Sequence, residues 1–200
     1  MYTLASGSNV GESERLMANR RVANDPDRRD RIAEAAFAVI VEHGAHRTTH
    51  RKIAEEAAVP LGSVTYYFQS LDDVIRAAFA RLVAEMSTRY SDALGAAQDQ
   101  DAACDAVTEL ICGENYTSGR ELIAIYEMYS FANHDAEVRH MMADWVGTSH
   151  VALARHFSPR ACSALDALIE GWPIHRSLSV GGVDRDVVRR TIGAVVSALP

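Results

Sequence analysis

Residues 48–68, TTHRKIAEEAAVPLGSVTYYF, carry two short helical patterns around a tight turn. Thr48 or Thr49 can accept hydrogen bonds from the free amides of a first helix, in which Ile53, Ala54 and Ala57 recur at the three-to-four spacing that buries one face. Ala58-Val59-Pro60 forms the turn. A second helix of about two turns, Leu61 to Phe68, sends Val64 and Phe68 inward and leaves Leu61, Gly62, Ser63, Thr65 and Tyr67 outward. Small and hydroxylated side chains on an outward face suit contact with a DNA groove. A two-helix pattern alone is weak evidence of that use, because any small helical domain contains short capped helices. The flanking sequence adds the weight.

Upstream, Asp25-Pro26 starts a helix and Gly44 stops it. Ile32, Ala35, Ala36, Val39 and Ile40 form its apolar face, whereas Arg28, Arg29 and Arg31 crowd its first turn, where the helix dipole disfavours cations. Two explanations stay open: the arginines await phosphate, or Asp27, Asp30 and Glu34 neutralise them on a solvated face. Downstream, Ser70-Leu71-Asp72-Asp73 reads as a capping box. It opens a long connecting helix with Ile75, Phe79, Leu82, Met86 and Tyr90 in one stripe.

Residues 28 to 82 resemble the tetracycline-repressor (TetR) family of bacterial regulators. The likeness rests on an amphipathic helix, Gly44, Thr48-Thr49-x-Arg51-x-Ile53-Ala54, Val59-Pro60-Leu61-Gly62-Ser63-Val64, Tyr67-Phe68 and Ser70-x-Asp72-Asp73-Val74-Ile75, in that order. The resemblance implies an all-α protein: an N-terminal three-helix helix-turn-helix domain joined by a long helix to a C-terminal helical ligand-binding and dimerisation domain. It places Arg51, Leu61, Gly62, Ser63, Thr65 and Tyr67 near base edges, and Thr49, His50, Lys52 and Tyr66 near phosphates. By its chemistry Arg51 is the best candidate for a bidentate guanine contact, worth about 1–3 kcal/mol of discrimination. Four positions depart from the family pattern. Ala58 stands where a turn glycine is common, Pro60 where a serine cap is usual, Leu71 where a phosphate-gripping lysine is frequent, and Thr65 where a tyrosine is common.

Composition sets the outer bounds. The chain has 200 residues, 48% of them hydrophobic, enough for a sizeable core. Its net charge of −7 is unevenly placed. Residues 1–68 carry nine basic and nine acidic side chains and the remainder eleven against eighteen, so the acidic part faces away from a polyanion. Cys104, Cys112 and Cys162 lack any C-x-x-C pairing and suit a reducing cytosol. No apolar run approaches the roughly 20 residues that span a bilayer, so a cytoplasmic location is expected. Residues 1–24 mix small, polar and charged side chains without periodicity and read as a disordered extension, either inert or a basic arm through Arg15, Arg20 and Arg21. The expected domains are therefore 25–69 for the head and 70–200 for the remainder.

Beyond the connecting helix, further helices are expected at about 101–112, from Ser118-x-x-Glu121 to about Asn133, from Asp135 to about Phe157, from Ser158-Pro159 to Gly181-Gly182, and from Asp184 to the end. Pro173 within the fourth of these either kinks it or ends it early. The last two helices carry more apolar surface than a terminal pair can bury, which suggests a homodimer through Leu165, Leu168, Trp172, Val188, Ile192 and Val195. The resemblance places dimerisation there too, and two heads could read a palindromic DNA operator. Met86, Tyr90, Tyr126, Tyr129, His134, Met141, Met142 and Trp145 gather between these regions. As bare residues they fit ordinary core as well as a pocket; the resemblance implies a pocket for a small-molecule effector, hydrophobic or aromatic by its lining.

No H-E-x-x-H, Walker loop, G-x-G-x-x-G or G-x-S-x-G occurs, so neither an enzyme nor a bound cofactor is expected. His43, His46 and His50 are separated by Gly44 and read as solvent-facing side chains rather than metal ligands. The competing class is a helical ligand-binding or interaction module whose DNA head has lost its function.

Overall fold

In a computed structural model, residues 27–113, 117–178 and 182–200 are described, and among them every regular element is a helix. The chain runs through Arg28–His43 (α1), a short 3-10 turn Ala45–Arg47, His50–Glu56 (α2), Leu61–Tyr67 (α3) and Leu71–Gly95 (α4). Gln100–Cys112 (α5), Gly119–Ala132 (α6), Ala136–Leu153 (α7), Pro159–Leu178 (α8) and Arg185–Ala198 (α9) follow. The expected Asp25-Pro26 start and the 1–24 extension lie outside the described residues. Gly44 ends α1 at φ 82°, a left-handed value that favours glycine, with its amide returned to the Ile40 carbonyl.

Local chemistry fixes most boundaries. Ser70 and Asp73 form the reciprocal capping box of α4, and Ser118 and Glu121 that of α6. Asp99, Asp135 and Asp184 accept from the first-turn amides of α5, α7 and α9. Helix α7 stops at Leu153, a turn before the expected Phe157: Ala154 is its C-cap, and the amides of His156 and Phe157 both return to the Leu153 carbonyl. That turn drops Phe157 into the core and lets His156 Nε2 meet the Leu94 carbonyl at 2.9 Å. Helix α8 continues through the buried Pro173 to Leu178, so the proline does not end it.

Helix α4 is the spine. Its stripe of Ile75, Phe79, Leu82, Met86, Tyr90 and Leu94 is buried, and α1, α5, α6 and α7 all pack on it. Helices α1–α3 share a core of Ile32, Ile40, Ile53, Val64 and Phe68 that merges with that stripe. At the far end α9 lies against α5 and α8. Leu165, Val188 and Ile192 have no exposed surface there, which corrects their expected place at a subunit interface. They belong to the core where α8 and α9 pack on α5, whose Ala103, Val107 and Ile111 are buried too, and Arg189 and Arg185 of α9 fasten the contact through Asp101, Asp105 and Glu109 of α5. Of the expected interface set, Leu168, Trp172 and Val195 remain half-buried.

Candidate DNA-reading head and C-terminal cavity

The head is built from α2 and α3. Thr49, in extended conformation, is the N-cap of α2, and its hydroxyl accepts from the Lys52 amide at 3.3 Å. Thr48 instead turns inward and donates to the Gly44 carbonyl at 3.0 Å. Helix α2 ends in a Schellman motif: the Val59 amide reaches the Ala54 carbonyl at 3.0 Å and the Ala58 amide the Glu55 carbonyl at 3.2 Å. Ala58 therefore occupies the left-handed position of that motif, at φ 52°, the one non-glycine residue with positive φ among those described. An alanine thus holds the left-handed turn conformation that ordinarily favours glycine.

Pro60 precedes α3 without a side-chain cap. Val64 and Phe68 point into the core while Leu61, Gly62, Thr65 and Tyr66 are exposed, Tyr66 to 75%. Space around Gly62 is open enough for a phosphate or base to approach the backbone. The Thr65 hydroxyl is turned back to the Gly62 carbonyl at 3.3 Å, so its methyl is the part left for contact. Ser63 and Tyr67 are half-buried, and the Tyr67 ring stands edge-on to Tyr66 at 5.1 Å. On α2, Arg51 is 84% exposed and paired only at the surface, with Glu55 at 3.2 Å. Such an i,i+4 pair is worth about 0.3–0.5 kcal/mol and yields readily to a base or phosphate. Lys52 Nζ rests on the Arg47 carbonyl at 3.1 Å, and His50 opens the helix half-exposed. Leu71 packs against the core. Arg29 of α1 lies 4.9 Å above the Phe68 ring, tying the arginine-rich turn to the end of α3.

A second feature lies in the C-terminal half, where α4, α6, α7 and α8 surround a cavity of about 480 Å³. Five of the eight side chains expected at an effector site line it: Met86, Tyr90, Tyr126, Tyr129 and Trp145. The other three do not. His134 lines a cleft under the head with Ala45, His46 and Glu127, Met141 lines a surface groove between α4 and α7, and Met142 packs against the core without lining any of these spaces. The sequence reading also missed Leu122, Ile125, Ser149 and, on α8, Asp166, Ile169, Glu170, Pro173 and Ile174.

The charged side chains among the described residues that line this cavity, Asp166 and Glu170, are both acidic. Asp166 is buried, and burial with the neighbouring Glu170 charge pushes its carboxyl up to about 6, against the pull of His150 Nε2 at 3.6 Å. Burial and the Glu170 carboxylate likewise push the Tyr129 phenol up, keeping it a neutral donor. The Tyr126 hydroxyl meets Ser177 Oγ at 3.1 Å, whereas the buried Trp145 Nε1 has no hydrogen-bond partner among the described residues.

Helix α6 joins the two features. One side supplies Leu122, Ile125, Tyr126 and Tyr129 to the cavity; from the other, Glu127 Oε2 accepts the Ala45 amide of the head at 2.8 Å. Near its start Glu121 pairs with Arg89 of α4. Arg76 of α4 donates from Nε and Nη2 to Asp135 Oδ2 at 3.0 and 2.7 Å and binds Asp73 at 3.1 Å, clamping the start of α7 to the spine. Burial pushes the thiols of Cys104, Cys112 and Cys162 up, so none is poised as a thiolate. No helix among the described residues is long and apolar enough to cross a membrane.

Residues 32–78 match the family model described as bacterial regulatory proteins, tetR family. A transcriptional regulator from Streptomyces coelicolor A3(2) is 37% identical, with a TM-score of 0.79, over 86% of this chain and 99% of that one. The multidrug binding protein EbrR in complex with ethidium is 26% identical over 84% of this chain and 98% of that one, at a TM-score of 0.70, and other structures of it hold malachite green and proflavin. PksA, a helix-turn-helix-type transcriptional regulator of Bacillus subtilis (strain 168), is 24% identical over 82% of this chain and 86% of its own length. With its head, spine helix and C-terminal helical domain in the same order, the chain belongs to the TetR family of transcriptional regulators, which are not enzymes.

Proposed function

We propose that the chain is a ligand-responsive, sequence-specific repressor that leaves a palindromic operator when a small hydrophobic or aromatic effector enters the cavity between α4 and α8. The observation that carries this reading is α6, which lines the cavity on one side and holds the Ala45 amide, at the base of the head, on the other. An occupant that displaces Tyr126 or Tyr129 moves Glu127 with them, and the pull arrives one short turn before α2. The requirement is differential affinity: shifting a population from 99:1 to 1:99 needs a roughly 10⁴-fold preference for the released state. A volume of about 480 Å³ with aromatic walls suits a flat ring system. EbrR, which shares the fold, takes ethidium and proflavin.

In this reading α2 and α3 dock in the major groove. Arg51 and the Leu61–Tyr67 face meet bases, and Thr49, His50, Lys52 and Tyr66 meet phosphates. One seven-residue recognition helix reads too few bases for a unique site, so two heads in a homodimer are required. Leu168, Trp172 and Val195, with the exposed Ile174, Leu178 and Val187, supply the apolar surface for that pairing. Selection of binding sites from random duplex DNA tests the proposal. An inverted repeat with two protomers bound per site is expected; no enriched sequence, or a single half-site bound by one protomer, refutes it.

A further inference from the structure

We propose that the ligand of the α4–α8 cavity is a flat lipophilic cation, its charge held by the Glu170 and Asp166 carboxylates and its rings by the tyrosines and Trp145. This rests on the reading of the cavity as the effector site and adds the charge of the ligand.

Asp166 and Glu170 stand four residues apart on α8, on the same side of the helix, and both line the cavity. Among the described residues that line it there is no lysine or arginine. The nearest counter-charge to Asp166 is His150 at 3.6 Å, a neighbour that is cationic only when protonated. Arginines close to the cavity are spent elsewhere: Arg89 on Glu121, and Arg176 on the carbonyls of Ile111, Gly113 and Thr117. An apolar and aromatic cavity thus holds one buried carboxylate, Asp166, with a second, Glu170, at its solvent-exposed rim beside Tyr129. Such an arrangement penalises its own ionised form, as the raised Asp166 carboxyl shows.

A neutral guest leaves that penalty in place and an anion adds to it. A cation removes it, and its positive charge is further favoured over the faces of Tyr90, Tyr126, Tyr129 and Trp145. An independent pointer to a ligand is the indole of Trp145, which is 9% exposed and lines the cavity with its Nε1 buried and without a hydrogen-bond partner among the described residues. A buried donor left unsatisfied is costly, and a ligand atom is a natural acceptor for it.

The test is titration of the full chain with N-methylacridinium and with acridine at neutral pH, followed by ligand fluorescence. The two are nearly the same shape and differ in charge. Acridine's ring nitrogen can accept from Trp145, so the comparison is weighted against the proposal. Wild type is expected to favour the cation by about tenfold or more, with Glu170→Gln cutting that preference to about twofold while acridine binds as before. Asp166→Asn supplies the same readout should Glu170→Gln fold poorly. Equal affinity of the two probes overturns the charge assignment and leaves the cavity as an effector site. Failure of both probes to bind overturns the cavity reading along with it.

Discussion

Replacing Ala58 by glycine should stabilise the protein, an unusual outcome for removing a methyl group. Ala58 holds φ 52° at the Schellman position after α2, with both carbonyl-capping bonds made. A left-handed L-residue costs about 1–2 kcal/mol. Glycine relieves that strain but widens the unfolded ensemble, a loss of about 0.4–1 kcal/mol. Ala58 is exposed, so its methyl contributes little burial to the account. The net expectation for Ala58→Gly is about 0.5–1 kcal/mol of added stability, or about 1–4 °C in melting temperature for a chain of this size. Ala58→Val should move the other way by more than 1 kcal/mol, roughly, because a β-branched side chain tolerates this conformation least. Urea denaturation of the three proteins at one protein concentration, together with a thermal melt, reads both shifts. DNA affinity of Ala58→Gly should stay within about twofold of wild type, since the hydrogen-bonded turn that aims α3 is unchanged. A destabilised Ala58→Gly, or a Val variant as stable as wild type, would refute the conformational argument.

Three further outcomes follow from the network around the spine and cavity. Arg76→Ala leaves the buried Asp135 carboxylate without its principal partner and should cost about 2–4 kcal/mol in urea denaturation, somewhat below a fully buried pair because Arg76 is 25% exposed. Glu127→Ala frees the Ala45 amide; a loss of about 1–2 kcal/mol is expected, and an operator complex that responds less to any cavity ligand than wild type does. The third concerns pH. Burial and Glu170 raise the Asp166 carboxyl to about 6 in the folded chain, against the opposing pull of His150, so folding takes up a proton between the ordinary carboxylate range and that value. Stability from this group is therefore full below the unfolded value and declines as pH rises through about 6. Asp135 works in the opposite sense: the Arg76 hydrogen bond holds its carboxyl low, and its contribution is lost as pH falls below the ordinary range. Asp166→Asn should flatten the decline near pH 6, seen as an urea midpoint that gains on wild type from acid to neutral pH; an unchanged difference across that range would contradict the burial argument.

The architecture was legible where local chemistry sets it. Capping residues Ser70, Ser118, Asp135 and Asp184, the stop at Gly44, and the Ile75–Phe79–Leu82–Met86–Tyr90 stripe all act through neighbours within one or two turns, and each appears in the structure as its spacing predicts. What a period cannot encode is height along a helix. Met141 and Met142 share the inward face of α7 with Trp145, yet the helices part to form the cavity about a turn later, at Trp145, Val146 and Ser149. His134 stands at the opposite end, under the head. Asp166 and Glu170 escaped notice because a charged residue on a helix ordinarily reads as solvated surface; the packing of α6 and α7 on α8 buries Asp166 and leaves Glu170 exposed at the cavity's rim. The surplus apolar surface of the last two helices had two possible covers, a second subunit or α5. For Leu165, Val188 and Ile192 the cover is internal, because α5 presents a matching stripe that composition alone does not pair with α9.

DNA reading by this head is open to direct measurement: fluorescence anisotropy on palindromic segments of the chain's own upstream intergenic DNA, across a salt series, with Arg51→Ala alongside. Arg51 is exposed and contributes little to folding, so the variant should melt within about 0.5 kcal/mol of wild type. Wild type should bind tightly and with steep salt dependence, and Arg51→Ala more weakly by about 1–3 kcal/mol for each half-site. Wild-type binding no tighter than to random duplex, or an Arg51→Ala protein that binds as wild type does, would contradict DNA reading and point to a helical ligand-binding module whose head no longer reads DNA.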